Sequence, residues 1–224
     1  MQQSVSFPSP KDIADVRKKY PQLHYEPTNC NWRLVGSIDI VDEAGNYYDN
    51  YDVEIVGTPR FPYQFPKLFE RSNKFPKTAV WHTFIDESCC TAVRGKEILA
   101  TQTGISLRRY VDDFAVPYLA NQTYKQKKGH YVNGEYAHNV IGEFTFFQEL
   151  LDIVDVSMVF RAIELALSDS HNTSNNITCF CGSGKKFKHC HKRAIQKMRA
   201  LGKDYLFDVY RRFYPFILRG ALNQ

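Results

Sequence analysis

Apolar and polar residues alternate along two runs, 32–41 and 47–56, with "DEAGN" between them. A period of two is what a half-buried strand needs, and the Gly/Asn-containing break supplies the turn, so the pattern predicts a β-hairpin. Ahead of it, "SPKDIADVRKKYPQL" repeats Ile13, Val16 and Tyr20 at helical spacing, with Ser9 placed to cap and Pro10 at the first helical position. Behind it, prolines at 59, 62, 66 and 76 exclude a long helix and confine any strand to short pieces such as Lys67–Glu70.

The period then changes to that of a helix. Leu107, Tyr110, Val111 and Phe114 share one face of a predicted helix over 106–120, which Pro117 is expected to kink or end. The polar stretch "NQTYKQKKGHYVNGEYAHN" reads as a loop. Residues 143–168 carry the strongest helical pattern, with Asp152–Asp155 placed to break it in two. "SDSHNTSNN" is a Ser/Asn-rich linker, and a last aromatic helix is expected over Lys203–Gly220, interrupted by Pro215. No internal repeat is visible. The elements predict an α+β fold with a body at 1–168, a linker at 169–178 and a small module at 179–224.

At 224 residues the chain has room for one large domain or a domain with an appendage. No apolar run reaches the ~18 residues of a membrane span, and "MQQSVSFPSPKD" lacks the basic start and apolar stretch of a secretory signal. A cytoplasmic, non-membrane protein is expected, in which six cysteines serve as ligands, nucleophiles or core residues rather than as disulfides. Charge is unevenly shared. Residues 179–224 hold 11 Lys/Arg against Asp204 and Asp208, a balance of +9, while the other 178 residues sum to −4. Such a split suits a tail that contacts an acidic protein or a nucleic acid, or one that docks on an acidic neighbour.

The tail spacing Cys179-x-Cys181-x8-Cys190-His191 offers the soft and borderline donors that a tetrahedral structural Zn²⁺ takes. Gly182-Ser183-Gly184 lets the intervening backbone turn tightly, and "KRAIQKMRA" continues as a helix from the second pair. So short a segment cannot fold on apolar burial alone, which disfavours free thiols in a disordered loop. "CFCGSGKKFKHCH" resembles the SEC-C motif, the zinc-binding tail first known from the bacterial preprotein-translocase ATPase. The resemblance implies structural zinc on Cys179, Cys181, Cys190 and His191, with His189 as a nearby alternative, a role in protein or nucleic-acid contact, and no catalysis.

The body holds a second cysteine feature, "HTFIDESCCT" at 82–91. Phe61-Pro62-Tyr63-Gln64-Phe65-Pro66-Lys67-Leu68, followed by a His and then a Cys, resembles the signature of the ubiquitin-conjugating-enzyme (UBC) family across roughly residues 10–150. The resemblance implies a UBC-like fold: an N-terminal helix, an antiparallel β-meander and later helices. It also implies Cys90 as the catalytic cysteine and Cys89 as a packing residue before it. The family's His-Pro-Asn is missing; His82 stands where its Asn would, Glu87 replaces the usual Gly and Thr91 the usual Leu. These departures look closer to divergent bacterial members encoded with ubiquitin-like proteins, activating enzymes or antiphage systems.

A thiolate is the nucleophile of thioester exchange, and an ordinary cysteine, with a pKa near ~8.5, is partly ionised at neutral pH. In this reading His82 donates to the oxyanion, and Asp86 or Glu87 orients the incoming lysine amine. The plainer alternatives are that both cysteines belong to the core, as free Cys usually does, and that His82 is a hydrogen-bonded structural residue. A vicinal disulfide is disfavoured by its strain and by the compartment. His130 and His138 are assigned to the loop surface. The leading expectation is a transferase whose partners are a ubiquitin-like protein, an activating enzyme and a protein target. Its alternatives are an inactive UBC-fold adaptor and a zinc-dependent nucleic-acid-binding protein.

Overall fold

The hairpin closes with the register its alternation demands. β2 (Trp32–Val41) pairs antiparallel with β3 (Tyr47–Val56), setting Leu34 opposite Ile55 and Ile38 opposite Tyr51, all on the buried face. Gly36 shares that face between Leu34 and Ile38, where a Cβ would lie 1.9 Å from the Gln22 carbonyl oxygen. Only glycine lets that segment approach so closely. β1 (His24–Pro27) adds to the β2 edge and β4 (Lys67–Glu70) to the β3 edge, completing a four-stranded antiparallel sheet in the order β1-β2-β3-β4. The computed structural model describes residues 6–132, 140–168 and 176–218.

α1 (Pro10–Lys19) starts as expected, with Ser9 accepting from the Asp12 amide. It is fixed to α3 (Leu107–Tyr110) by Asp12, which accepts from the Leu107 amide at 2.8 Å. Tyr20 adds a 2.6 Å bond to Asp112. Pro117 does not end the helical run. A π-turn over Val111–Ala115 precedes it, and α4 (Val116–Lys128) continues to a left-handed Gly129 cap. Proline is tolerated in a first turn, where its missing N–H removes no bond, so the chain restarts there. Residues 121–128, expected to be loop, are therefore helix. Their polar buried positions are satisfied: Thr123 meets the Tyr51 hydroxyl at 2.9 Å and Gln122 meets the Tyr131 hydroxyl at 3.1 Å.

The chain packs as two compact units, residues 1–93 with 100–135, and residues 94–99 with 136–224; α2 (Arg94–Thr101) straddles the division. The expected body of 1–168 is thus divided ahead of its last helices. α5 (Val140–Leu151) and α6 (Val156–Leu167), separated at Asp152–Asp155 as predicted, group with α7 (Lys192–Ala200) and α8 (Lys203–Leu218). The cause is aromatic packing. Phe213 is fully buried and meets Phe144, Phe147 and Phe160 at centroid distances of 5.4, 6.4 and 6.1 Å. Pro215 lies inside α8 without interrupting it. Positions 219–220 and the linker core at 169–175 lie outside the described residues, as does His138. Among the described residues no helix is long and apolar enough to cross a membrane.

Phe213→Ala is expected to cost about 3–5 kcal/mol, the usual penalty for emptying a buried aromatic site. Native-state hydrogen exchange should show protection falling across α5–α8 while the β2–β3 amides keep theirs.

Candidate metal centre and candidate reactive-cysteine loop

The tail loop is a miniature β-turn closed on itself. The Cys179 amide donates to Lys185 at 2.8 Å and the Phe187 amide to Ile177 at 2.8 Å, so residues 177–187 fold back as a narrow ribbon. Gly182 and Gly184, at φ 76° and 73°, take the left-handed positions that let the ribbon reverse. A 3-10 turn at Phe187–His189, anchored by buried Phe187, delivers Cys190, and His191 becomes the residue from which α7 starts.

Four donors result. Cys179, Cys181 and Cys190 Sγ and His191 Nδ1 lie within 4.8 Å of one another. Cys181 and Cys190 Sγ are 3.6 Å apart, and His191 Nδ1 is 3.2 Å from Cys179 Sγ and 3.1 Å from Cys190 Sγ. His189 is exposed and not part of the cluster. The other imidazole nitrogen, Nε2, stands 2.8 Å from the Leu151 carbonyl at the end of α5. A carbonyl can only accept, so Nε2 carries the proton and Nδ1 turns its lone pair to the sulfurs. Burial works against the Cys181 thiolate, but hydrogen bonds from the Ser183 side chain and backbone and from its cysteine neighbours prevail and bring its pKa down to about 6. Cys179 is shifted upward, chiefly by burial. Three thiols and one oriented imidazole converging on a point form a cluster that can hold a metal ion.

In the body, residues 83–89 form a second small hairpin. Thr83 and Cys89 bridge, the Phe84 amide donates to Ser88 at 2.8 Å, and Glu87 turns the chain at φ 65°. The Cys89 amide donates to the Leu68 carbonyl at 2.7 Å, which seats this hairpin on β4. Cys89 is only 7% exposed, and burial pushes its thiol up to about 11. Cys90 is partly exposed, with Sγ 3.8 Å from the Ala92 carbonyl. The adjacent cysteines therefore differ: one is a packing residue, the other reaches solvent.

His82 adopts a left-handed conformation at φ 50°, and its carbonyl accepts the Cys90 amide at 2.7 Å. Its ring packs on Tyr131 at 5.2 Å. Asp86 accepts from Lys67 Nζ at 2.6 Å and from the Ser88 hydroxyl at 2.6 Å, and these bonds hold its carboxyl down at about 2. It is thus an ionised partner of the chain's own lysine, at an exposed position where solvent screens the pair. Glu87 lies 3.9 Å from Arg71.

Two supports were not anticipated from the sequence. The Tyr118 hydroxyl, buried, donates to the Trp81 carbonyl at 2.9 Å and reaches that of His82 at 3.3 Å. Extending the stripe of Leu107, Tyr110, Val111 and Phe114 by one turn arrives at Tyr118, so its inward position was available in the pattern. The second is Glu70, whose side chain is fully buried against Lys77. Nothing in its local pattern marks it.

A comparison with protein families matches the SEC-C motif over residues 176–193, the stretch that holds all four donors. No curated protein and no solved structure matches the chain.

Alkylation with iodoacetamide at pH 8, read by peptide mass spectrometry, should label Cys30 and Cys90 from the start and leave Cys89 protected. Cys179, Cys181 and Cys190 should be protected in metal-loaded protein and become labelled once a chelator removes the metal. Labelling of Cys89 as fast as Cys90 would contradict the burial assigned to it.

Proposed function

We propose that this chain is a ubiquitin-conjugating-like transferase that carries a ubiquitin-like protein as a thioester on Cys90 and passes it to a lysine amine. The observation that carries this reading is the contrast within the cysteine pair. Cys90 is partly exposed just past a hairpin seated on β4, while Cys89 beside it is buried with a thiol held neutral. The element order supports it: a helix, a four-stranded antiparallel meander, then the cysteine loop and later helices. Exposed Phe84 and Ile85 at the hairpin give the site an apolar flank on which a protein partner can rest.

In the first step the Cys90 thiolate attacks the carbonyl carbon of a thioester on an activating enzyme. The new C–S bond forms, and the enzyme's own thiolate leaves. In the second step a target amine attacks, the amide forms, Cys90 departs as thiolate, and the amine's proton passes to solvent. The Cys90 amide is engaged by the His82 carbonyl, so this reading takes the oxyanion N–H from the His82 imidazole. The engagement of Asp86 by Lys67 and the packing of His82 on Tyr131 favour a second reading, an adaptor that binds the ubiquitin-like protein without chemistry. A reducing cytosol, in a bacterial conjugation or antiphage system, suits either reading.

Incubation with an activating enzyme, ATP and a ubiquitin-like protein encoded nearby should yield a thiol-sensitive adduct, which Cys90→Ser converts to a thiol-resistant ester or abolishes. No adduct with any such pairing, or one unaffected by Cys90→Ser, would sink the transferase reading.

For the tail we assign the metal as structural zinc. A tetrahedral ion with Zn–S bonds of about 2.3 Å separates its sulfurs by about 3.8 Å, and Cys181 and Cys190 stand 3.6 Å apart. With all four positions filled by protein, the ion would cross-link the loop and leave no place for substrate. Metal analysis should find about one zinc per chain. Cys181→Ser should lose it and lower the melting temperature; a variant that keeps its zinc and its melting temperature would remove Cys181 from the ligand set.

A further inference from the structure

A cleft of about 710 Å³ opens beside the metal centre, between the end of α5, the Gly-Ser-Gly loop and α7. Leu150, Ile153 and Ala194 contribute its apolar wall, and Lys185, Arg193 and Lys197 its charge, against Asp152 as the one carboxylate. None of these three cations is ion-paired among the described residues. Elsewhere the same chain pairs its cations readily: Lys19, Lys67, Arg71, Lys74 and Lys77 all meet carboxylates.

The ion's charge belongs in the balance. Three thiolates and a dication sum to −1, so the centre and Asp152 together offset two of the three lining cations. The lining stays positive, and exposed Lys186 and Lys188 carry the positive field past its edge.

We propose that this cleft is a nucleic-acid-backbone site that engages phosphates without reading bases. Arg193 and Lys197 stand one turn apart on α7, about 6 Å between Cβ atoms, and Lys185 faces them from the ligand loop. A phosphodiester strand repeats its charge at every nucleotide and needs no side-chain pocket, which suits a row of unpaired cations. No Phe, Tyr or Trp lines the cleft, and of its two imidazoles His191 is taken up by the donor cluster. That leaves exposed His189 as the one ring open to a base and makes binding depend little on sequence. The proposal stands apart from Cys90: metal holds the Lys185 loop against α7, and no thioester chemistry enters.

The test uses the full, zinc-loaded chain and a fluorescent single-stranded 20-nucleotide DNA of mixed sequence, read by anisotropy between 50 and 200 mM salt. Log affinity should fall linearly with log salt, by about 0.7 for each phosphate engaged. Lys185→Gln/Arg193→Gln/Lys197→Gln should weaken binding and flatten that slope by about 2. Because Lys185 sits in the ligand loop, Arg193→Gln/Lys197→Gln is measured alongside, with zinc content checked for both. Lys11→Gln/Arg17→Gln/Lys18→Gln on α1 should leave the slope unchanged. Absence of binding at 50 mM salt would overturn the proposal. So would wild-type affinity in the zinc-retaining α7 variant, or a polyglutamate peptide that binds more tightly than the DNA.

Discussion

The carbonyls of Trp81 and His82 lie at the end of a single 3-10 turn, Ala79–Trp81, and the buried Tyr118 hydroxyl is what they face. Where a chain leaves such a turn, partly buried backbone groups must be satisfied one by one, because no ladder does so collectively. The His82 carbonyl also accepts the Cys90 amide and the Cys89 amide reaches Leu68 on β4, so the candidate nucleophile is positioned by β4 on one side and by the Tyr118 phenol on the other. The π-turn ahead of α4 follows the same logic. Shifting the helix phase by a residue lets Pro117 sit in a first turn and still points Tyr118 inward.

What was legible in the sequence follows from this. The hairpin, β4 and the break at Asp152–Asp155 obey local rules of alternation, proline placement and side-chain capping, and each was readable from its own stretch of sequence. α4 beyond Ala120 was not. Its inward residues, Gln122 and Thr123, are polar, and their burial is tolerable only because Tyr131 and Tyr51 supply partners from distant positions. β1 was missed for a related reason. His24–Pro27 has only four residues, and β2 creates it as a strand by offering an edge.

The two cysteine sites contrast in the same terms. Four metal donors within 13 residues announce themselves because coordination chemistry restricts both ligand type and spacing. A nucleophile has no such signature, since a lone thiol is as useful in a core as in a reaction. Only burial separates Cys89 from Cys90, and burial is decided by Leu68, Tyr118 and the hairpin between them. The Asp86 carboxylate makes the same point in reverse. Its sequence position suggested a group waiting for a lysine, and the fold brings Lys67 to it.

His191 connects these threads in the second unit. The last carbonyls of any helix lack intrahelical partners, and Leu151 is the final residue of α5, followed by Asp152 in a left-handed conformation. The proton on His191 Nε2 fills that vacancy, and because the ring carries only one proton when neutral, Nδ1 is left with a lone pair toward the three sulfurs. Capping α5 and presenting a metal ligand are thus one protonation state. The segment buries little besides Cys179 and Phe187, so a metal bound there would supply most of its folding free energy. Through His191 that contribution would extend to the end of α5 and to the cleft wall that α5 shares with α7.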